Sequence, residues 1–173
     1  MEILKYPDPF LRTRTKKLEQ ITNGVIERVR EMFETMYKAH GVGLAATQIG
    51  WDARVFIKNI TGKPEGEEVH INPVIVEKSG DYADEEGCLS LPSLRGKIER
   101  SEEVLLRSMG IDGEAQEVRH KNLAARAVQH EIDHLDGMLF IHRLRPADRV
   151  LMRGALRDLE RKYKARPEQD SPS

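Results

Sequence analysis

The sequence predicts a single domain of the α+β class, and three observations support this prediction. Segments with helical periodicity and segments rich in β-branched residues are interspersed along the chain, without the regular β-α-β alternation typical of a parallel sheet. The chain has 173 residues, which is the size of one ordinary domain. Its sequence contains no internal repeat. Mixed or antiparallel strands with three separate helices are therefore expected.

The first half of the chain is predicted to contain an extended arm, a helix and two strands. Residues 1–22 carry two prolines and no sustained period, which favours an extended arm. From about Asn23 to Gly41, apolar residues recur at helical spacing and predict an amphipathic helix. Alternation around residues 54–58 and β-branched residues over 69–76 predict two strands.

The second half is predicted to contain a hairpin followed by a helix. Residues 104–109 and 116–119 are strand-like and flank a turn with two glycines, which is typical of a hairpin. A helix is predicted from about Asn122, a suitable N-cap, to Asp136. Gly137 is placed to end it.

The C-terminal region is predicted to be a basic amphipathic helix. Pro146 suits the first turn of a helix that continues to about Lys164. Arginines recur every fourth residue from Arg145 to Arg161, beside a stripe of apolar residues. Such charge runs are most often solvated faces, and a docking surface is the alternative. The polar segment 166–173 is predicted to be disordered.

Composition excludes several classes of protein. Lys+Arg number 28 and Asp+Glu number 29, a net charge of −1, so neither DNA nor an anionic membrane is expected as the main partner. Cys88 is the single cysteine, which excludes an internal disulfide and favours a reducing compartment. The sequence has no run of eighteen apolar residues and no export signal at its start. We therefore expect a cytoplasmic protein.

The sequence H-E-I-D-H at 130–134 indicates a metal site. At about 100° per residue, His130 and His134 lie on one helical stripe with Leu123 and Ala127, which is predicted to face the core. Glu131 lies beside this stripe. A single inward histidine is usually a core residue, whereas two histidines one turn apart with a glutamate between them are typical of two metal ligands and a base.

The third ligand is not given by the motif itself. The metzincin pattern H-E-x-x-H-x-x-G-x-x-H fails because Phe140 stands where its last histidine should be. His142 stands two positions too late, and Glu160 lies in a basic segment that is expected to be exposed. Both observations disfavour a zinc peptidase. Cys88, in the segment E-E-G-C-L-S, offers a thiolate, and a Cys-His-His set leaves a fourth position for water. A buried apolar role or a nucleophilic role for Cys88 stays open on this reasoning.

A third segment, G-V-G-L-A-A-T-Q at 41–48, combines glycines with a terminal glutamine. It can be a tightly packed loop after the first helix. Alternatively, its glycines allow the backbone to approach a substrate, and Gln48 presents an amide donor to a developing oxyanion.

Together, G-V-G-L-A-A-T-Q, E-G-C-L-S and H-E-I-D-H-L-D-G resemble the three motifs of the peptide deformylase family, in the family order and with comparable separations. The resemblance extends to Y-P-D-P near the N-terminus and covers roughly residues 1–150. It implies strands packed around a central H-E-x-x-H helix. It also implies a catalytic domain over residues 1–146, with the basic helix 147–165 as part of the same domain and 166–173 as a tail.

The resemblance implies a function and a role for each site residue. The expected reaction is hydrolysis of the N-formyl group from formyl-methionyl nascent peptides, with release of formate. The expected metal is one divalent ion, natively Fe²⁺, which Zn²⁺, Ni²⁺ or Co²⁺ can replace. The resemblance implies that the metal is held by Cys88, His130 and His134. It implies Glu131 as the general base and acid, with Gln48 and Leu89 as donors to the oxyanion. The substrate peptide would be contacted by Gly43, Gly87 and Arg95.

Several interpretations remain alternatives at this point. Arg95 can equally be a solvated surface charge, while Arg126 and Asp133 are expected to support the ligands or to form surface ion pairs. The absence of a transit-like segment favours a bacterial source, and a processed organellar protein is the alternative. The resemblance implies that the basic C-terminal helix contacts ribosomal RNA phosphates. A zinc peptidase is the competing enzyme, and a ribosome-associated module with a structural metal site is the competing non-enzyme.

Overall fold

The computed structural model describes residues 1–165, so the predicted tail at 166–173 lies outside the described residues. The described chain has three α-helices and seven strands. The helices are α1 (Asn23–Lys38), α2 (Asn122–Leu135) and α3 (Pro146–Lys164). The strands are β1 (Gly43–Ala45), β2 (Val55–Lys58), β3 (Glu68–Ser79), β4 (Tyr82–Cys88), β5 (Leu91–Arg100), β6 (Glu103–Met109) and β7 (Ala115–Lys121).

The strands form two antiparallel sheets. One has five strands in the order β1-β2-β3-β6-β7, and the other is the β4–β5 hairpin. All strand pairs in residues 1–165 are antiparallel. The α+β prediction is confirmed, as are the strands at 54–58 and 69–76 and the β6–β7 hairpin. Within the described chain, β4 and β5 pair only with each other. Side chains therefore hold most of this hairpin on the domain, together with a backbone hydrogen bond from the Tyr6 N–H to the Ser90 carbonyl at 2.9 Å.

Strand patterns in the sequence do not predict the β4–β5 hairpin, because its residues lack the usual alternation. Five of its positions carry acidic or basic residues on the solvent side, and its buried apolar side chains are limited to Leu91 and Ile98. The hairpin therefore buries one apolar side chain near its turn and one near its open end, and it lacks a continuous apolar face.

Helix α1 follows directly from its sequence pattern. The Thr22 side chain accepts a hydrogen bond from the Val25 N–H at 3.4 Å and caps the first turn. Met32 and Met36 on the inner stripe are completely buried. The helix ends at Lys38, three residues before the predicted end, and the following residues lead into β1.

Helix α2 packs against β1, β2 and β7. Its N-cap is Lys121, so the prediction of Asn122 as the cap is wrong: Asn122 is the first helical residue and has φ of 52°. The prediction that Leu123 faces the core is also wrong. Leu123 is 51% exposed, because the first turn of α2 borders an open groove.

Two apolar clusters hold these elements together. The larger one lies between α1, the five-stranded sheet and α2. The smaller one contains Tyr6, Leu91, Ile98 and Phe140, and the inner face of α3 covers it. Helix α3 extends from Pro146 to Lys164 as predicted. None of the helices in residues 1–165 has the length and apolar character needed to cross a bilayer.

Gly137 ends the H-E-x-x-H helix through a close approach of two backbone segments. Its φ is 74°, and a Cβ at this position would collide with the backbone of Arg12. Left-handed conformations are costly for residues other than glycine. Gly137→Ala should therefore lower the free energy of unfolding by at least about 1–2 kcal/mol, measured by urea denaturation.

Gly154 provides the matched control for that change. It lies inside α3, and a methyl group added at its Cα would meet no described atom within 4 Å beyond its chain neighbours and the adjacent helix backbone. Alanine is favoured over glycine in a helix interior, so Gly154→Ala should raise the free energy of unfolding by about 0.5–1 kcal/mol. Equal effects of the two substitutions would contradict the proposed cause.

Candidate metal centre

Three side chains from two elements converge on one point. Cys88 is the last residue of β4, whereas His130 and His134 project from α2 one turn apart. Cys88 Sγ lies 3.2 Å from His134 Nε2, which lies 3.2 Å from His130 Nε2. All three donor atoms lie within 4.8 Å of one another.

This donor set fits a divalent transition metal ion. Ligand bonds of about 2.0–2.3 Å in tetrahedral geometry place neighbouring N and S donors about 3.3–3.8 Å apart. The two imidazole Nε2 atoms and the thiol are therefore close to the separation that one ion requires. His130 Nδ1 is 3.0 Å from the Glu86 carboxylate, so a proton held between them leaves Nε2 as the atom with a free lone pair.

Charge around the three donors also favours a cation. Burial raises the pKa of the Cys88 thiol, but the adjacent His134 and His130 lower it by more, so the net pKa lies well below its ordinary value. Burial alone would lower the pKa of His130, yet its contacts with Cys88 and Glu86 raise it. The site thus favours a thiolate, the form of cysteine that binds metals.

Glu131 lies against the same point and is buried. Its Oε2 has no hydrogen-bond partner within residues 1–165. Burial raises the pKa of Glu131 to about 7, although His130 and His134 act in the opposite direction. A carboxyl group with this pKa can accept and return a proton near neutrality.

Gly43 is required beside Glu131. A Cβ on Gly43 would overlap Oε1 of the Glu131 carboxylate, so the absence of a side chain makes room for the acid. The sequence indicated a close backbone approach in this loop, and the group it approaches is Glu131.

Gln48 is buried next to the sulfur, and its amide is held in one orientation. Its Oε1 accepts a hydrogen bond from the Ala45 N–H at 2.9 Å. Its Nε2 lies 3.2 Å from Ser90 Oγ and 3.7 Å from Cys88 Sγ. The donor end of Gln48 is therefore fixed towards the cluster.

The cluster opens into a groove of about 700 Å³. Its lining includes the 41–43 loop, residues 85–89 and the first turns of α2, with Gly87, Leu89 and Arg95 among them. Lys5 Nζ donates to the Leu89 carbonyl at 2.7 Å and anchors the turn after Cys88. The Arg95 side chain is 71% exposed and lies 3.8 Å from Glu85, so it borders the groove as a solvated charge.

A buried ionic network supports the cluster. The Glu86 carboxylate, beside His130, accepts hydrogen bonds from Arg100 at 2.8 and 2.9 Å and from Arg126 at 2.7 Å. Asp133 accepts from Arg100 at 2.6 Å and from Arg143 at 2.5 Å. Arg126 and Asp133 are buried, so the alternative of surface ion pairs for them is wrong.

Sequence reasoning missed three members of this network, Glu86, Arg100 and Arg143. Glu86 stands two residues before Cys88, inside the E-E-G-C-L-S segment, and its proximity to the cysteine was the available signal. Arg100 had no such signal, because its position in β5 becomes meaningful only when the β4–β5 pairing brings it to Glu86.

Comparison with known proteins identifies the family. The family model described as polypeptide deformylase matches residues 1–150. The chain belongs to the peptide deformylase family. A peptide deformylase of Acidobacterium capsulatum is 43% identical over 161 residues, covering 92% of this chain and 95% of that protein. One of Dictyoglomus thermophilum is 45% identical over 142 residues, covering 82% of this chain and 91% of that protein.

Solved deformylase structures share the fold. A peptide deformylase of Plasmodium falciparum superposes with a TM-score of 0.91 at 39% identity, covering 95% of this chain and 98% of that one. Peptide deformylase 1B of Arabidopsis thaliana, in complex with an inhibitor, gives a TM-score of 0.91 at 38% identity and covers 95% and 92%. The family implies a single catalytic metal, and the Cys88, His130 and His134 donors fit it.

The ionic network should be essential to stability. Removing one partner from a buried ion pair costs about 3–5 kcal/mol, so Arg100→Met should lower the free energy of unfolding by roughly that amount in urea denaturation. Arg107→Met is the control, because Arg107 pairs with Glu117 on the exposed side of the sheet. Its loss should cost less than about 1 kcal/mol. Similar losses for both variants would contradict the assigned role of Arg100.

Proposed function

We propose that this chain hydrolyses the N-formyl group of formyl-methionyl nascent peptides and releases formate. The observation that carries this proposal is the convergence of Cys88, His130 and His134 with a buried carboxylate at the floor of an open groove. Membership of the peptide deformylase family supports the substrate class. In the proposed arrangement, the strands are organised around α2, the helix that carries both histidines.

The proposed ion is Fe²⁺, held by Cys88, His130 and His134, with Zn²⁺, Ni²⁺ or Co²⁺ as possible replacements. Bound there, it would supply Lewis acidity and lower the pKa of a water molecule. The mixed sulfur and nitrogen donors suit these ions. A thiolate also brings a negative charge that a third imidazole would not, and it makes the site sensitive to oxidation.

Glu131 moves the protons of the reaction. Its carboxylate takes a proton from the attacking water, whose oxygen bonds to the formyl carbon. When the C–N bond breaks, Glu131 returns that proton to the amine of the departing methionine. The products are formate and a peptide with a free amino terminus. Glu131 Oε2, which has no partner among the described residues, is suited to this exchange.

Gln48 and Leu89 would stabilise the charge that develops on the formyl oxygen. The Gln48 Nε2 donor is fixed by the bond between its Oε1 and Ala45, so it needs no reorganisation during the reaction. The second donor is the backbone N–H of Leu89, in a turn that Lys5 anchors. Gly43 and Gly87 would allow the peptide to approach, and Arg95 would lie beside the methionine.

One assay tests the proposal against its alternatives. Iron-loaded protein is incubated anaerobically with formyl-Met-Ala-Ser and, separately, with an unformylated peptide. Formate release from the first substrate alone supports deformylation. Cleavage of an internal bond would indicate a peptidase, and metal binding without either activity would indicate a structural module.

Replacing the proposed base should separate metal binding from turnover. Glu131→Gln keeps the size of the side chain but cannot accept a proton, so kcat should fall by about 10²–10⁴. The bound metal per chain, measured by plasma mass spectrometry, should equal that of the wild-type protein. Glu117→Gln, on the exposed side of the sheet, is the control and should leave kcat unchanged. Substantial activity in Glu131→Gln would remove Glu131 from its role.

A charge change at Gln48 should reduce kcat more than it changes KM. In Gln48→Glu, one carboxylate oxygen can still accept from Ala45, but the donor towards the groove is lost. Removing one oxyanion donor typically lowers kcat about 10²–10³-fold. Steady-state kinetics with formyl-Met-Ala-Ser measures the effect, and metal content is checked in parallel. An unchanged kcat at full metal content would exclude Gln48 as a donor.

The basic helix supports a second proposal, that α3 docks on ribosomal RNA. Its arginines from Arg145 to Arg161 are all exposed, while Met152 and Leu156 pack inward. Phosphate binding by such a face is electrostatic and weakens with salt. Ribosome docking and the bacterial origin of its relatives together support a location in the bacterial cytoplasm.

Charge reversal on α3 tests this docking without removing its inner face. The double variant Arg153→Glu and Arg157→Glu should reduce co-sedimentation with ribosomes at least tenfold at low salt, while deformylation of free peptide is retained. The control carries the same reversal at Arg107 and Arg119, on the five-stranded sheet. Equal co-sedimentation of both variants and the wild-type protein would reject docking through α3.

A further inference from the structure

A second cluster of metal-binding side chains lies in the five-stranded sheet. Glu68 and His70 are in β3, and His120 is in β7, with one potential ligand atom from each within 4.8 Å of the others. None of these residues belongs to the Cys88, His130 and His134 set. Neither the motifs nor the proposed deformylation uses them.

The donor atoms of this cluster face one another. Glu68 Oε2 lies 3.3 Å from His70 Nε2 and 3.9 Å from His120 Nε2. Ligands of one tetrahedral ion with bonds of about 2.0–2.1 Å stand about 3.3 Å apart. A shift of about 0.6 Å at His120 would therefore place its Nε2 as close to Glu68 Oε2 as His70 Nε2 already is.

His120 carries an unexplained polar atom. Its side chain is 5% exposed, and its buried Nε2 has no hydrogen-bond partner within residues 1–165. Leaving a buried polar atom without a partner costs about 1–3 kcal/mol. A bound cation would remove this cost, because Nε2 would become a ligand.

His70 is held in the orientation of a metal ligand. Its Nδ1 lies 2.9 Å from Ser108 Oγ, and its ring packs against Phe56 with centroids 4.7 Å apart. A histidine that binds metal through one nitrogen commonly uses the other in such a hydrogen bond. Nε2 is the nitrogen that faces Glu68.

The protonation states suit a cation. Burial lowers the pKa of His120 to about 4, and it also lowers the pKa of His70, so both imidazoles are neutral at pH 7. Burial alone would raise the pKa of Glu68, but bonds from His70 and Lys58 lower it to about 2. The set at neutral pH is thus one carboxylate and two neutral imidazoles.

Lys58 is the cation nearest to the cluster. Its buried Nζ lies 2.5 Å from Glu68 Oε1, which leaves Oε2 for the two histidines. Burial lowers the pKa of Lys58, although Glu68 acts against this. A divalent cation bound nearby would lower the pKa of Lys58 further, and Lys58 would then release its proton. The charge of Lys58 therefore does not prevent the cation from binding.

We propose that Glu68, His70 and His120 form a second site for a divalent transition ion of the Zn²⁺ class, independent of the catalytic metal. The Glu68 side chain is 38% exposed, which gives an ion and its water ligand a route from solvent. The ion would link β3 to β7 across β6. His120 stands two residues before α2, so this link would fix the strand that leads into the H-E-x-x-H helix.

Zinc stoichiometry tests the proposal on the full chain. Protein is equilibrated with buffered Zn²⁺ at pH 7.5 and analysed by plasma mass spectrometry. His120→Gln and Glu68→Gln should each bind one ion fewer per chain than the wild-type protein. Glu77→Gln is the matched control, because Glu77 links β3 to β7 through Arg119 without touching the cluster. It should bind as many ions as the wild-type protein.

Cobalt absorption separates the two sites. Co²⁺ at the Cys88 site should give a thiolate charge-transfer band in the near ultraviolet, whereas Co²⁺ at the second site should give only visible d–d bands. His120→Gln should lose d–d intensity and keep the thiolate band. Cys88→Ser should lose the thiolate band, but added Zn²⁺ should still raise its Tm through the second site. In the double variant Cys88→Ser and His120→Gln, added Zn²⁺ should leave the Tm unchanged.

Equal zinc stoichiometry in the wild-type protein, His120→Gln and Glu68→Gln would overturn the proposal. So would a Tm response to Zn²⁺ in Cys88→Ser that survives His120→Gln. If His120→Gln does not fold, as judged by circular dichroism, the partly exposed Glu68→Gln decides alone. Failure of deformylation would not affect these outcomes, because none of them depends on turnover.

Discussion

The candidate site depends on the Glu86 carboxylate. This one group contacts Arg100, Arg126 and His130, so it connects β5 and α2 to the cluster of Cys88, His130 and His134. A buried carboxylate is costly unless it is paired and fully hydrogen-bonded. The surrounding guanidinium groups satisfy it, and the same bonds fix the distance between the hairpin that carries Cys88 and the helix that carries the histidines.

The opposite wall of the site is made of backbone and small residues. Gly43 leaves room for the Glu131 carboxylate, and the Ala45 N–H orients Gln48. Two kinds of constraint therefore hold the side chains of the site. Ion pairs fix those next to the β4–β5 hairpin, and close packing against the backbone fixes those next to β1. Both reduce the motion of groups that must be in place before a substrate arrives, as electrostatic preorganisation requires.

The sequence predicted the elements whose periodicity is strong. The resemblance of its three motifs implied Cys88, His130 and His134 as ligands, and the structure brings their donor atoms within 4.8 Å of one another. The sequence did not predict the β4–β5 hairpin, since few of the hairpin's residues are buried and apolar. Nor did it predict that Leu123 is exposed, because helical periodicity indicates a stripe but not where a groove interrupts the packing. Arg100 and the Glu68, His70 and His120 cluster arise from pairing between distant strands, which local patterns do not contain.

The three donor side chains of the site come from two parts of the fold that are attached to the domain in different ways. The two histidines lie on a helix packed against the main sheet, whereas the thiol lies on a hairpin that, within residues 1–165, shares no backbone pairing with that sheet. Regions held mainly by side chains can open without global unfolding. Detachment of the hairpin would withdraw the sulfur and leave both imidazoles in place. Exchange or loss of the ion would then follow the rate of this local opening and not the stability of the whole domain.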